Sequence, residues 1–359
     1  MDISLIDSRF KLSTITEPDI EWHEISEPEF SLHGVFYEPE VDRYIRMPRA
    51  VSETVSDGVH KLAAMSAGGR LRFSTDSPYI ALQCIAPACW PLSHMPLTGS
   101  HGFGLFVDGI YRNMYVPNHH VLMRAIFAEE QSIAFDGSRK TYAVGLQNCT
   151  LYFPLYGGVR KIKIGLKKGC KLQAAPAYKY PKPVVFYGSS IFQGACAAYP
   201  GSDLEGMLSQ WLDFDYVNLG FSGNGKAEPE MNAYLASLDP SVYVLDSDYT
   251  ATPEELPEKH YRLYETVRNA HKHTPILLLC KPDTRYDPNG RKRASIVYDV
   301  YCKAKAQGDQ KVWFIDGESM YGEFERNACA VDTCHPTNLG FYRMAKAVAP
   351  VLEEALKKV

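Results

Sequence analysis

The sequence predicts an α/β protein in two parts: an antiparallel β-sandwich over residues 1–178, then a parallel sheet covered by helices over 179–359. Three observations predict it. Up to about Lys171, short segments rich in Val, Ile, Phe and Tyr recur between turn residues. From Pro183 onward, short apolar strands alternate with amphipathic helical stretches. Between the two lies Ala174–Pro183, where Pro176, Pro181 and Pro183 oppose regular structure.

In the first part, strands are expected at Leu71–Ser74, Tyr79–Ile85, Phe103–Val107, Asn113–Val116, Tyr142–Leu146, Thr150–Leu155 and Lys161–Gly165. Asp108-Gly109 is a tight hairpin signal. Lys161-Ile162-Lys163-Ile164 alternates, as a strand with one wet face and one buried face must. In the second part, strands are expected at Val184–Tyr187, Tyr216–Leu219, Val242–Asp246, Ile276–Cys280 and Val312–Ile315. Their apolar runs do not alternate, which fits burial on both faces. Helices are expected near Gly206–Trp211, Glu228–Leu238, Pro253–His273 and Lys292–Ala306, with a last one from about Asn338 to Lys358.

The composition of the 359 residues, 45% apolar and 22% charged, excludes disorder, collagen and coiled coil. A net charge of −4 leaves no global positive field for nucleic acid or an anionic membrane. Apolar runs such as Val242–Leu245 are strand-sized, so no transmembrane helix is expected. Met1–Lys11 lacks the apolar core of a signal peptide. The nine cysteines form no CxxC pair, which favours a reduced, cytoplasmic setting without structural disulfides. His119-His120 and His271-Lys272-His273 lack metal-ligand spacing, so neither metal nor cofactor is expected. Arg291-Lys292-Arg293 sits between Asp287 and Asp299 and reads as a solvated helix start. A homo-oligomer is compatible with all of this.

Ligands of an open α/β sheet bind at the carboxyl ends of its strands, so the residues after each strand carry the functional signal. The first strand is followed by Gly188-Ser189-Ser190-Ile191, which can raise a hydroxyl at a strand-to-helix turn. Alone, this motif reads more readily as an N-cap serine. The second is followed by Gly220-Phe221-Ser222-Gly223-Asn224-Gly225, whose glycines allow backbone amides to approach a substrate oxygen or simply form a tight loop. Before the last helix lies Asp332-Thr333-Cys334-His335-Pro336, where an Asp three residues ahead of a His can orient the imidazole. By itself that could be a capping aspartate and a surface histidine.

The three together, in this order, resemble the SGNH (GDSL-like) hydrolase superfamily over roughly Pro183–Val359. The resemblance implies a flavodoxin-like three-layer α/β/α domain. It implies Ser190 as nucleophile, His335 as general base and Asp332 as the carboxylate that orients it. The amides of Ser190 and Gly223 would hold the oxyanion. Ser189 stands where the family has Asp. Thr250 falls at the position of the family's oxyanion Asn, counted from the strand Val242–Asp246. The first part is similar to the jelly-roll-like β-sandwich that precedes some SGNH domains and is labelled by its GxDLY motif. Here the motif reads Gly102-Phe103-Gly104-Leu105-Phe106, with Gly104 for Asp and Phe106 for Tyr.

The expected function is a serine esterase acting through an acyl-enzyme on small acyl esters, acetyl on carbohydrate above all. Its partner is then a small-molecule or oligosaccharide ester. Alternatives are a thioesterase or lysophospholipase-type acyl hydrolase on the same fold, and a carbohydrate-binding protein whose catalysis has weakened. Gln193 and Trp90 are candidate substrate contacts. Arg285, after the fourth strand, either meets substrate or pairs with Asp287.

Overall fold

The computed structural model describes residues 15–142, 144–285 and 287–359. Met1–Lys11 therefore lies outside the described residues. The first part comprises β1 (Ile20–Glu24), β2 (Ser31–His33), β3 (Phe36–Glu38), β4 (Arg43–Ile45), α1 (Arg49–Val55), α2 (Asp57–Ala63), β5 (Arg70–Thr75) and β6 (Tyr79–Pro87). It continues with α3 (Leu97–Ser100), β7 (Phe103–Val107), β8 (Ile110–Tyr115), α4 (His119–Phe127), β9 (Ser132–Lys140), β10 (Gln147–Tyr152), β11 (Lys161–Lys167) and β12 (Leu172–Gln173). Two antiparallel sheets, β1-β11-β6-β9 and β12-β5-β10-β7-β8, face each other. Their inward residues, among them Phe73, Leu82, Phe103, Leu105, Leu151 and Ile164, make one core. The β7–β8 turn places Asp108 and Gly109 both at positive φ, which is why that pair was a hairpin signal. β11 alternates buried and exposed residues at its start, as expected.

The second part comprises β13 (Tyr180–Gly188), α5 (Ser190–Gln193), α6 (Leu204–Leu212), β14 (Phe214–Gly220), α7 (Pro229–Ser237), β15 (Val242–Asp246) and α8 (Leu256–Ala270). Then come β16 (Ile276–Leu279), α9 (Gly290–Ala306), β17 (Val312–Ile315), α10 (Gly317–Met320) and α11 (Asn338–Leu356). The parallel sheet runs β14-β13-β15-β16-β17, the flavodoxin-like order 2-1-3-4-5. Val184 and Phe186 point toward α6 and α11, while Val185 and Tyr187 point toward α7, α8 and α9. Both faces are buried, so each central strand had to be apolar throughout.

Several expectations need correction. Tyr142–Leu146 is not a strand: its described residues form the bend between β9 and β10. The first part is not all β, since α1, α2 and α4 are real helices. Ser56 caps α2 and Asn118 caps α4, each accepting a backbone N–H. Pro181 and Pro183 do not break the chain but lie inside β13. The pairing with β14 shifts between Tyr180 and Val184, which accommodates residues that have no N–H to offer.

The two parts share a core. Phe106, Tyr152, Leu155 and Tyr156 pack with Phe192, Leu204 and Phe214, and Met47 and Val59 join the opposite face of the parallel sheet. A Cβ on Gly104 would sit 2.2 Å from the Pro200 carbonyl oxygen, which explains the missing Asp in the first part's motif. Arg70, wholly buried, pairs with Asp215 and lies 3.7 Å over the Tyr216 ring. The interface is thus a continuation of both cores rather than a hinge.

Candidate active site

β13 delivers the chain to the sheet mouth at Gly188, where a Cβ would lie 1.8 Å from the Asp246 carbonyl oxygen. Only glycine lets the two strand ends approach so closely. Ser189 then caps α5: its Oγ accepts the Ile191 N–H at 3.1 Å and donates to Asp246 Oδ2 at 2.6 Å. Ser190 follows at the first helical position, and its Oγ is 2.8 Å from His335 Nε2.

His335 is set by its own loop. Ala330 and Pro336 form an antiparallel bridge, and Val331 N donates to the His335 carbonyl at 2.9 Å. Thr333 is held at φ 64°, an uncommon conformation for a β-branched residue. Inside the bend, Asp332 Oδ1 accepts the backbone N–H of His335 (2.8 Å) and of Cys334 (3.2 Å), while Oδ2 meets His335 Nδ1 at 2.7 Å. Burial raises the Asp332 carboxyl, but the hydrogen bonds from His335's backbone and ring outweigh it and hold it below the usual range. An ionised Asp332 only accepts, so Nδ1 carries the proton and Nε2 is free to take one from Ser190.

Opposite stands the glycine-rich loop after β14. Asn224 and Gly225 donate back to the Phe221 carbonyl at 2.8 and 3.1 Å. Gly223 adopts φ 67°, and space is open where its side chain would be. Among the described residues, the amides of Ser190 and Gly223 are not spent on another protein group. Unspent N–H donors are what a developing oxyanion requires.

The other candidates fall elsewhere. Thr250 donates its one hydroxyl proton to the Gly225 carbonyl, so it braces the loop from below and has no proton left to offer an oxyanion. Gln193 is wholly buried and does not reach the cleft: its Oε1 accepts the Ser222 N–H at 3.0 Å, and its Nε2 approaches the Leu155 carbonyl at 3.4 Å. Arg285 pairs with Asp283 through Nε and Nη2, both at 2.8 Å, rather than with Asp287. Trp90 is 60% exposed and packs edge-to-face on Phe127, itself 74% exposed, with centroids 5.5 Å apart. Its loop does reach the cleft, because the His94 ring lies 5.4 Å from that of His335.

Some residues were not foreseen. Arg46 is completely buried, and its Nη1 donates to the carbonyls of Asn218 (3.0 Å) and Gly220 (2.9 Å), just ahead of the glycine-rich loop. Its signal was a lone cation inside the apolar run Tyr44-Ile45-Arg46-Met47. Tyr156 donates to the Ser190 carbonyl at 3.4 Å. The thiol of Cys196 donates to the His94 carbonyl at 3.4 Å, tying the two parts together at the cleft. Behind Ser189, the buried carboxyls of Asp246 and Asp248 are both pushed up by burial, Asp248 further by the charge of Asp246.

Residues 181–353 match the GDSL-like lipase/acylhydrolase family, and residues 20–172 match the N-terminus of SGNH-type esterases. The chain is thus a serine ester hydrolase of the SGNH class. Its residues 181–353 form a GDSL-like lipase/acylhydrolase domain, and residues 20–172 ahead of them a GxDLY domain. A crystal structure assigned as a GDSL-like lipase from Bacteroides ovatus is 26% identical, with a TM-score of 0.81 over 94% of this chain and 98% of that one. The salicylyl-acyltransferase SsfX3 from a tetracycline biosynthetic pathway superposes with a TM-score of 0.72 at 18% identity, over 96% and 99% of the two chains. An acetyl xylan esterase, Est2A from Butyrivibrio proteoclasticus, has a TM-score of 0.56 at 13% identity, over 94% and 99%. The last two share the fold. No curated protein matches the chain.

Proposed function

We propose that the protein hydrolyses small acyl esters, acetyl esters of carbohydrates foremost, by a Ser190–His335–Asp332 triad. The observation that carries this reading is the unbroken line Ser190 Oγ, His335, Asp332, with contacts of 2.8 and 2.7 Å. His335 Nε2 takes the Ser190 proton as Oγ bonds to the carbonyl carbon. The carbonyl oxygen becomes an oxyanion held by the Ser190 and Gly223 amides. The C–O bond to the leaving alcohol then breaks, and His335 gives that alcohol its proton. Water repeats the sequence on the acyl-enzyme, releasing the acid and restoring Ser190. Asp332 keeps Nδ1 protonated and stays an anion throughout.

Crowding supports a small acyl group. His94 and Cys196 each bring a ligand atom within 4.8 Å of His335's, which leaves little width beside the base. A sugar alcohol is supported by the exposed pair of Trp90, on the loop that carries His94, and Phe127, at the end of α4, since aromatic faces pack on sugar rings. The intact hydrogen-bonded line favours a working enzyme over a binding protein. All nine cysteines are unpaired, which supports a reduced, cytoplasmic setting. Among the described residues, no helix is long and apolar enough to cross a membrane.

The test is acetate release from acetylated oligosaccharides by the wild type and by Ser190→Ala. Release by the wild type alone supports the reading. Faster turnover of long-chain acyl or acyl-CoA substrates would move it to the lysophospholipase or thioesterase alternative.

A further inference from the structure

We propose that His94, Cys196 and His335 form a binding site for a zinc-type divalent cation, and that occupation of this site shuts the hydrolase down. One ligand atom from each residue lies within 4.8 Å of the other two. They come from three separate elements: the loop after β6, the turn after α5, and the loop before α11. Zinc takes a cysteine sulfur at about 2.3 Å and a histidine nitrogen at about 2.0–2.1 Å in a tetrahedron, so adjacent ligand atoms stand about 3.5 Å apart. Drawing the three atoms in to that spacing moves each side chain by less than about 1 Å.

The surroundings hold this cluster in place. The Cys196 thiol already hydrogen-bonds the His94 backbone at 3.4 Å. Cys196 itself sits at φ 68°, a conformation retained by a side-chain-bearing residue only where its neighbours over-determine it. On His335, Asp332 occupies Nδ1 and so presents Nε2 to the cation, the carboxylate–histidine–metal arrangement common to zinc ligands. Two imidazoles and a thiolate select a soft or borderline ion over magnesium or calcium. Ser190 Oγ, 2.8 Å from Nε2, or a water would complete the tetrahedron.

The balance is simple. Binding exchanges the Cys196 thiol proton, otherwise held tightly by burial, for a sulfur–metal bond and releases that proton to solvent. It also exchanges the Ser190–His335 hydrogen bond for a nitrogen–metal bond. With Nε2 occupied, Ser190 has no base. The inhibition, though not the binding, rests on the role proposed above for His335. The cation is an inhibitor, not a cofactor, because Nε2 cannot hold a metal and accept a proton together.

The test separates the two claims. Chelator-stripped Ser190→Ala is titrated with zinc chloride in a calorimeter, which reads binding whatever the enzyme does. One ion per chain at micromolar affinity or better is expected. Cys196→Ser and His94→Gln should each weaken uptake more than about tenfold, since loss of even an outer-shell partner costs about 10–100-fold. His120→Gln, on the exposed histidine pair, should leave it unchanged. Cobalt in place of zinc should give a thiolate charge-transfer band that Cys196→Ser abolishes. No uptake, or uptake unmoved by both Cys196→Ser and His94→Gln, overturns the site. In parallel, zinc should stop wild-type hydrolysis of p-nitrophenyl acetate and chelator should restore it; binding through these residues at an unchanged rate overturns the inhibition.

Discussion

Arg46 Nη1 lies 2.9 Å from the carbonyl oxygen of Gly220, so a residue of the first part fixes the strand end from which the glycine-rich loop departs. The same guanidinium reaches the carbonyls of Leu62 and Met65 and lies 4.9 Å over the Phe221 ring. Among the described residues no carboxylate pairs with it directly, and burial lowers its pKa to about 10. The first part is therefore built into the second rather than appended to it.

Arg46→Lys tests that. An ammonium has three donors and no planar fork, so some of these carbonyls are orphaned, at about 1–3 kcal/mol each. Thermal unfolding should fall by several degrees. In the protein that remains folded, kcat should drop more than KM rises, because the loop and not the substrate has moved. An unchanged melting temperature and kcat would contradict the bracing role.

Asp332→Asn addresses the orienting carboxylate. The amide can no longer fix a proton on Nδ1, so the wrong tautomer faces Ser190. A loss of roughly 10⁴-fold in kcat is expected. Steady-state kinetics checks it, and circular dichroism should confirm an unchanged fold.

Thr250→Val separates a brace from an oxyanion donor. Removing a direct donor costs about 10²–10³-fold in kcat. Because the Thr250 proton is spent on Gly225, the expected loss is smaller than that, and Thr250→Ser should restore it. A thousandfold loss would return Thr250 to the oxyanion.

Glu205 is wholly buried in α6, neither carboxylate oxygen meets another side chain among the described residues, and burial first, then the charge of Asp203, raises its pKa well above normal. Its folded pKa exceeds its unfolded one, so folding takes up a proton. The stability it allows is present in full below the unfolded pKa and is lost as pH rises toward the folded one. Glu205→Gln should therefore raise the melting temperature, and by more at pH 8 than at pH 5. Melting curves at the two pH values check this.

Much of this was legible in the sequence because its signals are local. The five parallel strands announce themselves as short apolar runs, and Val242–Asp246 and Val312–Ile315 were placed to the residue. Asp332 and His335 are three residues apart, so their relation is written in the chain. What was not legible is what depends on distant partners. Gln193 follows the Ser190 turn and looks like a cleft residue, yet it props Ser222, 29 residues on. Thr250 aligns with an oxyanion donor, yet its proton goes to Gly225 across the sheet mouth. Arg46 and His94 belong to the first part, and nothing in their neighbourhood says that one underpins the glycine-rich loop and the other lies against His335.

The most direct measurement is labelling with a fluorophosphonate followed by peptide mass spectrometry. The account predicts one adduct, on Ser190, lost in Ser190→Ala and slowed in Asp332→Asn. An adduct on another serine, or equal labelling of Ser190→Ala, would contradict it.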